Sequence, residues 1–597
     1  MTVQERIGRL RQKMQETGVT VYVIPSSDCH ESEYVCAHYR AREYMSGFTG
    51  SAGTLVVTYE EAGLFTDGRY FIQAGQQLAG TQIRLFRTGE PGVPKIEAYV
   101  REMLTEGGML GFDGSVMSAS AGEKLLQAAE EKNADTLVTR DLVGEIWQNR
   151  PPIPDTEVFL LEECYAGERT EDKLTRVRTA METVGADVHV LASLCDIAWL
   201  LNLRGNDIPG VPVVLSFLQI TRDQCIWYVR SQAVTGEIRR KMSELGVTIR
   251  DYGQIYPDLE TLCAGQKVLL DKKNVNIRLL TSLPAGVQVT DRPNPSELMK
   301  SVKNETELQN LRIAHIKEGL AFTRFMHWIK THAGKEVITE RTAAAYLDAE
   351  RKKQEHYLGQ SFTPICAYRE HGAMVHYSAT EESDARIRPE SMLLVDAGGH
   401  YLEGTTDTTR TMILGEISRE EKQMFTAVCR GNLRLAFAKF LQGCTGYSLD
   451  VLCREPLWQM GLDYKHGTGH GVGYLLNVHE GPNGFRWRLP ALTEHPAVLV
   501  PGMVTTDEPG IYLEGKYGIR TENELVCKKD VENEYGQFLK FEILTLTPID
   551  LDGILPEEMT MEERGWLNSY HQRVRETLSP YMEETERLWL QEYTREI

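Results

Sequence analysis

LLVDAGGHYLEGTTDTTRTMIL, residues 393–414, is the stretch that decides how this chain reads. Apolar runs stand at both ends and a glycine-rich turn lies inside, the pattern of two antiparallel strands joined by a short connection. Asp396 and Asp407 then lie on adjacent strands and face one space. A surface hairpin with turn carboxylates would give the same pattern. Asp396, however, directly follows the apolar run LLV, where an unpaired carboxylate is costly.

Working outward, two more acids join them. Glu508 stands in TTDEPGIY (505–512) ahead of a Pro-Gly turn, and Glu522 stands in YGIRTENELV (517–526) on an expected strand. Between Asp407 and Glu508, HGTGHGVGYLLNVHEGP (466–482) has too many glycines for a stable helix, so tight turns and close backbone contacts must place His466, His470 and His479. Spacing alone does not choose which of the three binds a metal. Four carboxylates gathered in one place repel one another and raise their own pKa values unless cations sit between them. A donor set rich in carboxylate and free of sulfur suits hard divalent ions such as Mn²⁺ rather than a structural zinc. The residues therefore describe a carboxylate–histidine cluster able to hold two divalent ions and activate a water.

The rest of the chain supplies the setting. At 597 residues it is too long for one hydrophobic core. Its 42% hydrophobic and 25% charged residues describe a soluble globular protein. A formal charge of -20 disfavours nucleic acid and anionic membrane, which require a basic footprint. The first residues, MTVQERIGRLRQKMQETG, lack the apolar core of roughly 7–15 residues that a signal peptide needs, and no run approaches about 18 apolar residues. Eleven cysteines, an odd number without a CxxC pair, fit reduced thiols and a cytoplasmic protein better than a disulfide framework. Cys366 and Cys527 lie near the acidic segments but in apolar surroundings, and read as packing residues.

Periodicity predicts a helix over 5–17, a buried strand over 19–25, and strands TLVVTY and AGLFT after the glycine-rich SGFTGSAG (46–53). A helix over 170–183, a strand over 186–191 and the strands PVVLSF and CIWYV repeat the same order, so two related α/β domains are expected. A long helix follows over 303–332, then a second from Lys335 through YLDAERKKQEHY, further helices near 422–439 and 448–458, and a polar helical tail over 560–594. The tail's Trp566, Tyr570, Trp589 and Tyr593 need a surface to pack on, and its own catalytic domain or a second subunit serve equally well.

These pieces, taken in order, resemble the pita-bread metallopeptidases, and among them the three-domain cytosolic X-Pro aminopeptidases. SGFTGSAG and FTDGRYF (65–71) are similar to that family's first N-terminal domain, and LNLRGNDIPG (201–210), with Asp196 and Trp199 upstream, to its second. GAMVHYSA (372–379), VDAGGHYLEGTTDTTRT, HGTGHGVG, NVHEGP, TDEPGIY and GIRTEN follow in the family's order. The resemblance implies creatinase-like N-terminal domains over 1–156 and 157–320, a pita-bread catalytic domain over 321–547 and a helical extension over 548–597.

It also implies residue roles. Asp396, Asp407 and Glu522 resemble the ligands of one ion, with Asp407 and Glu522 bridging to a second that His470 and Glu508 complete. The implied reaction is hydrolysis of the bond before a penultimate proline by a water held between the ions, with Glu508 handling its proton. His376 and His479 resemble pocket histidines that contact substrate or the tetrahedral intermediate. His466 resembles a further pocket histidine, and Arg520 a supporting group near the bridging glutamate. Tyr512, after the Pro-Gly turn, is weighed as a further support of this pocket shell, with an ordinary structural role preferred. Peptides with proline at position two are the implied partners, and a homodimer the implied assembly. A prolidase would share the metal residues but recognise the free C-terminus of a dipeptide. A creatinase-like enzyme would not need the full metal set, and a silent peptide-binding module could have lost ligands that are all present here.

Overall fold

The computed structural model describes residues 1–488 and 496–597. It divides into two compact units, residues 1–162 with 168–296, and residues 163–167 with 297–597.

The first unit holds two six-stranded mixed sheets built to one plan. One runs Arg84–Arg87, Ala62–Thr66, Thr54–Thr58, Val21–Pro25, Met109–Phe112, Asp135–Leu137. The other runs Val247–Arg250, Cys225–Val229, Ser216–Thr221, Val188–Leu191, Lys267–Leu270, Gln288–Asp291. In both, the outer pairs are parallel, and the first strand in sequence pairs antiparallel with the next strand of its sheet. The two related α/β domains expected from the sequence are thus present. Their helices are set by ordinary signals: Val3–Thr17 opens on a Thr2–Glu5 capping box and buries Ile7, Leu10 and Met14.

One strand starts later than its sequence suggests. PVVLSF becomes a strand only from Ser216, because the buried stretch before it folds around Asp207. Asp207 N–H donates to the Val213 carbonyl at 3.0 Å, and its carboxylate accepts from Leu215 N–H at 2.8 Å. Apolar character at Val213 and Val214 therefore reports burial, not strand pairing.

In the second unit the helix Glu305–His332 is continuous across position 320 and opens on an Asn304–Glu307 capping box. The helix expected from Lys335 is shorter, Glu340–Arg351. Thr339 caps it only there, and Tyr357–Gln360 turns into a strand. Two sheets carry the acidic segments. A three-stranded antiparallel sheet contains Ile365–Tyr368, Met392–Ala397 and Thr408–Ile413, and a six-stranded sheet contains Gly469–Gly471, Val504–Asp507 and Asn523–Asn533. Helices Arg419–Ala436 and Gly446–Trp458 pack apolar side chains such as Phe425, Val428, Leu433 and Leu457 into the core behind that sheet.

The polar tail packs on its own chain. It forms two helices, Met561–Leu578 and Glu584–Tyr593, and Leu567, Tyr570, Val574, Leu578 and Leu590 join the second unit's core. Trp566 stacks on Phe437 with ring centroids 5.5 Å apart. No helix among the described residues is long and apolar enough to cross a membrane.

Candidate metal centre

Asp396 and Asp407 come from the three-stranded sheet, where Asp396 pairs in register with Thr409 and Asp407 sits one residue before the strand Thr408–Ile413. The connection between their strands is itself a small hairpin, Gly399–Tyr401 against Gly404–Thr405. The glycine before it is required by space: a Cβ on Gly398 would lie 1.8 Å from the Thr406 carbonyl oxygen. The same holds in the HGTGHGVG segment, where a Cβ on Gly469 would lie 1.8 Å from the Thr506 carbonyl oxygen. That close approach brings the short strand bearing His470 beside the strand that ends at Asp507, with Glu508 next in the chain. Glu522 sits in the turn between the strands Tyr517–Arg520 and Asn523–Asn533.

These side chains converge. Asp407, His470 and Glu522 each offer one ligand atom, and the three atoms lie within 4.8 Å of one another. His470 Nε2 lies 3.5 Å from Asp407 Oδ2 and 3.7 Å from Glu508 Oε1. Its Nδ1 lies 2.9 Å from the Gly471 carbonyl, which only an N–H can satisfy, so in the neutral ring Nε2 carries the lone pair that faces the acids. Thr409 Oγ1 donates to Glu522 Oε2 at 2.7 Å, and Asp407 N–H donates to Glu524 at 2.7 Å.

The electrostatics favour cations. Burial and the charges of Asp396, Glu508 and Glu524 push the Asp407 carboxyl well above its usual range. Burial and the charges of Asp407, Asp396 and Glu508 do the same to Glu522. Glu508 is also raised, mainly by burial, although His470 and Arg520 oppose the shift. Oδ1 of both Asp396 and Asp407 is buried with no hydrogen-bond donor from the chain. Crowded acids with orphaned oxygens, beside a histidine lone pair, fit divalent cations.

A hydrogen-bonded frame surrounds the cluster. Arg520 donates to Asp396 Oδ2 at 2.6 Å, to Thr409 Oγ1 at 3.2 Å and to the Tyr512 hydroxyl at 2.8 Å. Tyr512 reaches His466 Nε2 at 2.8 Å, while His466 Nδ1 donates to the Gly467 carbonyl at 2.7 Å. Tyr512 is therefore part of the frame, the supporting role that the sequence offered as its less favoured reading. Its position beyond the Pro-Gly turn, on a strand paired with the one bearing Arg520, is what brings it in. His479 stands edge-on to His470 with ring centroids 4.3 Å apart. His376 is half-buried in the turn after Met374, and the carbonyl of its neighbour Val375 accepts from Arg520 at 3.4 Å. Cys366 and Cys527 are buried free thiols, as read from the sequence.

Sequence reading passed over Glu524 and His315. Glu524 is fully buried, holds the Asp407 amide and lies 3.3 Å from His315 Nε2. An acid two residues beyond Glu522 at the start of a strand, where every second side chain shares a face, was the available signal.

The chain belongs to metallopeptidase family M24, in the branch that carries creatinase-type N-terminal domains. Residues 309–529 match metallopeptidase family M24, residues 6–141 and 149–307 each match the creatinase/prolidase N-terminal domain, and residues 537–597 match the C-terminal region of M24 peptidases. Aminopeptidase P2 of Arabidopsis thaliana is 36% identical over all of this chain and 89% of its own length. A probable Xaa-Pro aminopeptidase P of Botryotinia fuckeliana is 38% identical over 95% of this chain and 88% of its own. The crystal structure of X-prolyl aminopeptidase from Caenorhabditis elegans, described as a cytosolic enzyme with a di-nuclear active site, superposes with a TM-score of 0.94 at 32% identity and covers the whole of both chains.

Proposed function

We propose that this chain is a metal-dependent X-Pro aminopeptidase, which hydrolyses the bond between an N-terminal residue and a penultimate proline and releases that residue. The observation that carries the reading is the convergence of Asp407, His470 and Glu522, with Glu508 and Asp396 beside them, in a chain similar over its full length to proteins named for that activity. Asp396, Asp407 and Glu522 would hold one ion. Asp407, Glu522, His470 and Glu508 would hold the other. Two divalent ions bound there supply positive charge that polarises the scissile carbonyl and acidifies a water. Donor hardness favours Mn²⁺.

The side chains do the remaining work. Glu508 faces the same space as His470 and accepts the proton of the attacking water. His376 and His479 offer N–H donors to the oxygen that gains charge, without adding a permanent cation. Arg520 is a positioning residue, holding Asp396 with one guanidinium nitrogen and Tyr512 with another, and Tyr512 orients His466. A penultimate proline has no amide N–H, so recognition must rest on ring shape and the terminal amine. We further propose a cytoplasmic homodimer. Light scattering checks the assembly: twice 67.5 kDa is expected, and a single 67.5 kDa species at all concentrations overturns it.

A mass-spectrometric time course tests the activity, using metal-stripped protein before and after Mn²⁺ addition on an X-Pro tripeptide, an X-Pro dipeptide and an X-Ala peptide. The expected result is release of only the first residue, from the tripeptide, with metal restored. Cleavage confined to the dipeptide would make the protein a prolidase, equal cleavage of X-Ala would remove the proline assignment, and no cleavage would leave a binding module.

A further inference from the structure

Arg410 is fully buried behind the cluster, and its guanidinium is spent on neutral oxygens. Nη1 donates to the backbone carbonyls of Glu522 at 2.5 Å and Thr409 at 2.8 Å. Nη2 donates to Asn523 Oδ1 at 2.7 Å, and to the Thr547 carbonyl and the Tyr570 hydroxyl at 2.8 Å each. Nε reaches the Thr547 and Pro548 carbonyls at 3.2 and 3.1 Å. A buried guanidinium is tolerable only when its donors are satisfied, so the groups that accept from it are fixed in turn. Tyr570, which itself donates to the Thr547 carbonyl at 2.6 Å, comes from the helix Met561–Leu578, in the C-terminal segment.

Both ends of this network stop beside proposed ligands. At Glu522 the backbone N–H donates to the Thr409 carbonyl at 3.1 Å, the carbonyl accepts from Arg410, and the carboxylate accepts from Thr409 Oγ1 at 2.7 Å. The residue is held at three points. In the other direction Asn523 Nδ2 donates to Asn432 Oδ1 at 2.8 Å, and Asn432 Nδ2 donates to the Asp507 carbonyl at 2.8 Å, one residue before Glu508. Glu508 N–H is tied to the Thr468 carbonyl at 2.7 Å. Two acids from separate parts of the chain are thus referred to one guanidinium.

We propose that Tyr570, Arg410, Asn523 and Asn432 form a positioning relay through which the C-terminal helical segment presets Glu522 and Glu508 and so raises the affinity of the centre for divalent ions. The relay contacts neither substrate nor metal. It acts through the backbone of residues that do, and it rests on the metal-centre reading above, though not on the choice of peptide substrate.

Mn²⁺ titration of the folded, metal-free full-length protein tests it, because binding to an already folded chain does not depend on global stability. Arg410→Gln is expected to weaken Mn²⁺ binding by about 10–100-fold, the range for losing support behind a metal ligand. Tyr570→Phe, losing the hydroxyl that accepts from Arg410 and donates to the Thr547 carbonyl, is expected to weaken it by about fivefold, with Asn432→Ala acting in the same direction. Should Arg410→Gln fail to fold, the two milder variants decide the question. Leu590→Ala removes a buried side chain from the same C-terminal segment without touching the relay. It should lower the unfolding midpoint and leave Mn²⁺ affinity unchanged. Wild-type affinity in Tyr570→Phe and Asn432→Ala, or an equal loss in Leu590→Ala, would overturn the relay alone. Failure of the unaltered chain to bind Mn²⁺ would overturn the metal centre and the relay with it.

Discussion

Glu318 and Arg351 are both buried in the catalytic unit, joined by contacts of 2.5–3.1 Å, with the Tyr401 hydroxyl donating to the same carboxylate at 3.1 Å. Asp450 and Arg454 make a similar fully buried pair at 2.7 Å. The acids of the proposed metal centre are also withdrawn from solvent, Glu508 the least with its side chain 19% exposed, yet among the described residues Asp396 alone of them is hydrogen-bonded to a guanidinium, and Asp407, Glu508 and Glu522 mainly face one another and His470. Where the chain wants a stable buried charge, it supplies the counter-charge itself. At the proposed metal centre it withholds the counter-charge, a cost that bound cations would relieve.

The comparison can be broken by substitutions of matched chemistry. Glu508→Gln keeps size and burial but cannot take a proton, and peptide cleavage with Mn²⁺ present should fall by about 10²–10⁴-fold in kcat. Activity within a few-fold of wild type would remove Glu508 from the reaction. Glu318→Gln leaves Arg351 buried without its partner and should cost about 3–5 kcal/mol of stability, read by denaturant unfolding. Asp407→Asn should do the reverse. In metal-free protein it relieves repulsion and is expected to gain about 1–2 kcal/mol, as removing functional strain does elsewhere, while binding Mn²⁺ far more weakly. If both variants destabilise the metal-free protein alike, the two regions are not built on opposite terms.

A smaller effect sharpens the same contrast for histidine. Burial, with the charges of Arg410, Arg575 and Arg595, lowers the His571 pKa to about 3, and burial lowers His189 to about 4. Both are held neutral in the fold, so their stabilising contribution is complete above the ordinary value of 6.5 and is lost as pH falls toward the folded values. Below about pH 6.5 each should remove about 1.4 kcal/mol per pH unit. The unfolding free energy of the unaltered chain minus that of His571→Gln, measured at about pH 7.5, 6.5 and 5.5, should fall with this single-histidine slope below about pH 6.5.

Much of this was legible in residues 393–414 and in the two short motifs downstream, because glycine, aspartate and histidine there are forced by close backbone approach and by charge. Asp396 after LLV is the clearest case: an acid after three apolar residues needs a reason, and the reason lies across the strand. The repeated order of strands around Val21–Pro25 and Val188–Leu191 gave the two α/β domains in the same way, although the exact strand limits followed tertiary hydrogen bonds such as those of Asp207. Arg410, Asn432 and Tyr570 were not legible as a group. They lie far apart in sequence, each is ordinary in its own segment, and only the packed fold brings Tyr570 of the tail to the guanidinium that holds the Glu522 carbonyl. Glu524 was hidden differently, behind the stronger motif that precedes it.

Metal stoichiometry tests the central claim most directly. Stripped protein titrated with Mn²⁺ should take up two ions per chain, while Asp407→Asn and Glu522→Gln, each removing a donor proposed to serve both sites, should lose both ions together rather than one. A wild-type chain that binds one ion or none, or either variant binding two with unchanged affinity, would contradict the account.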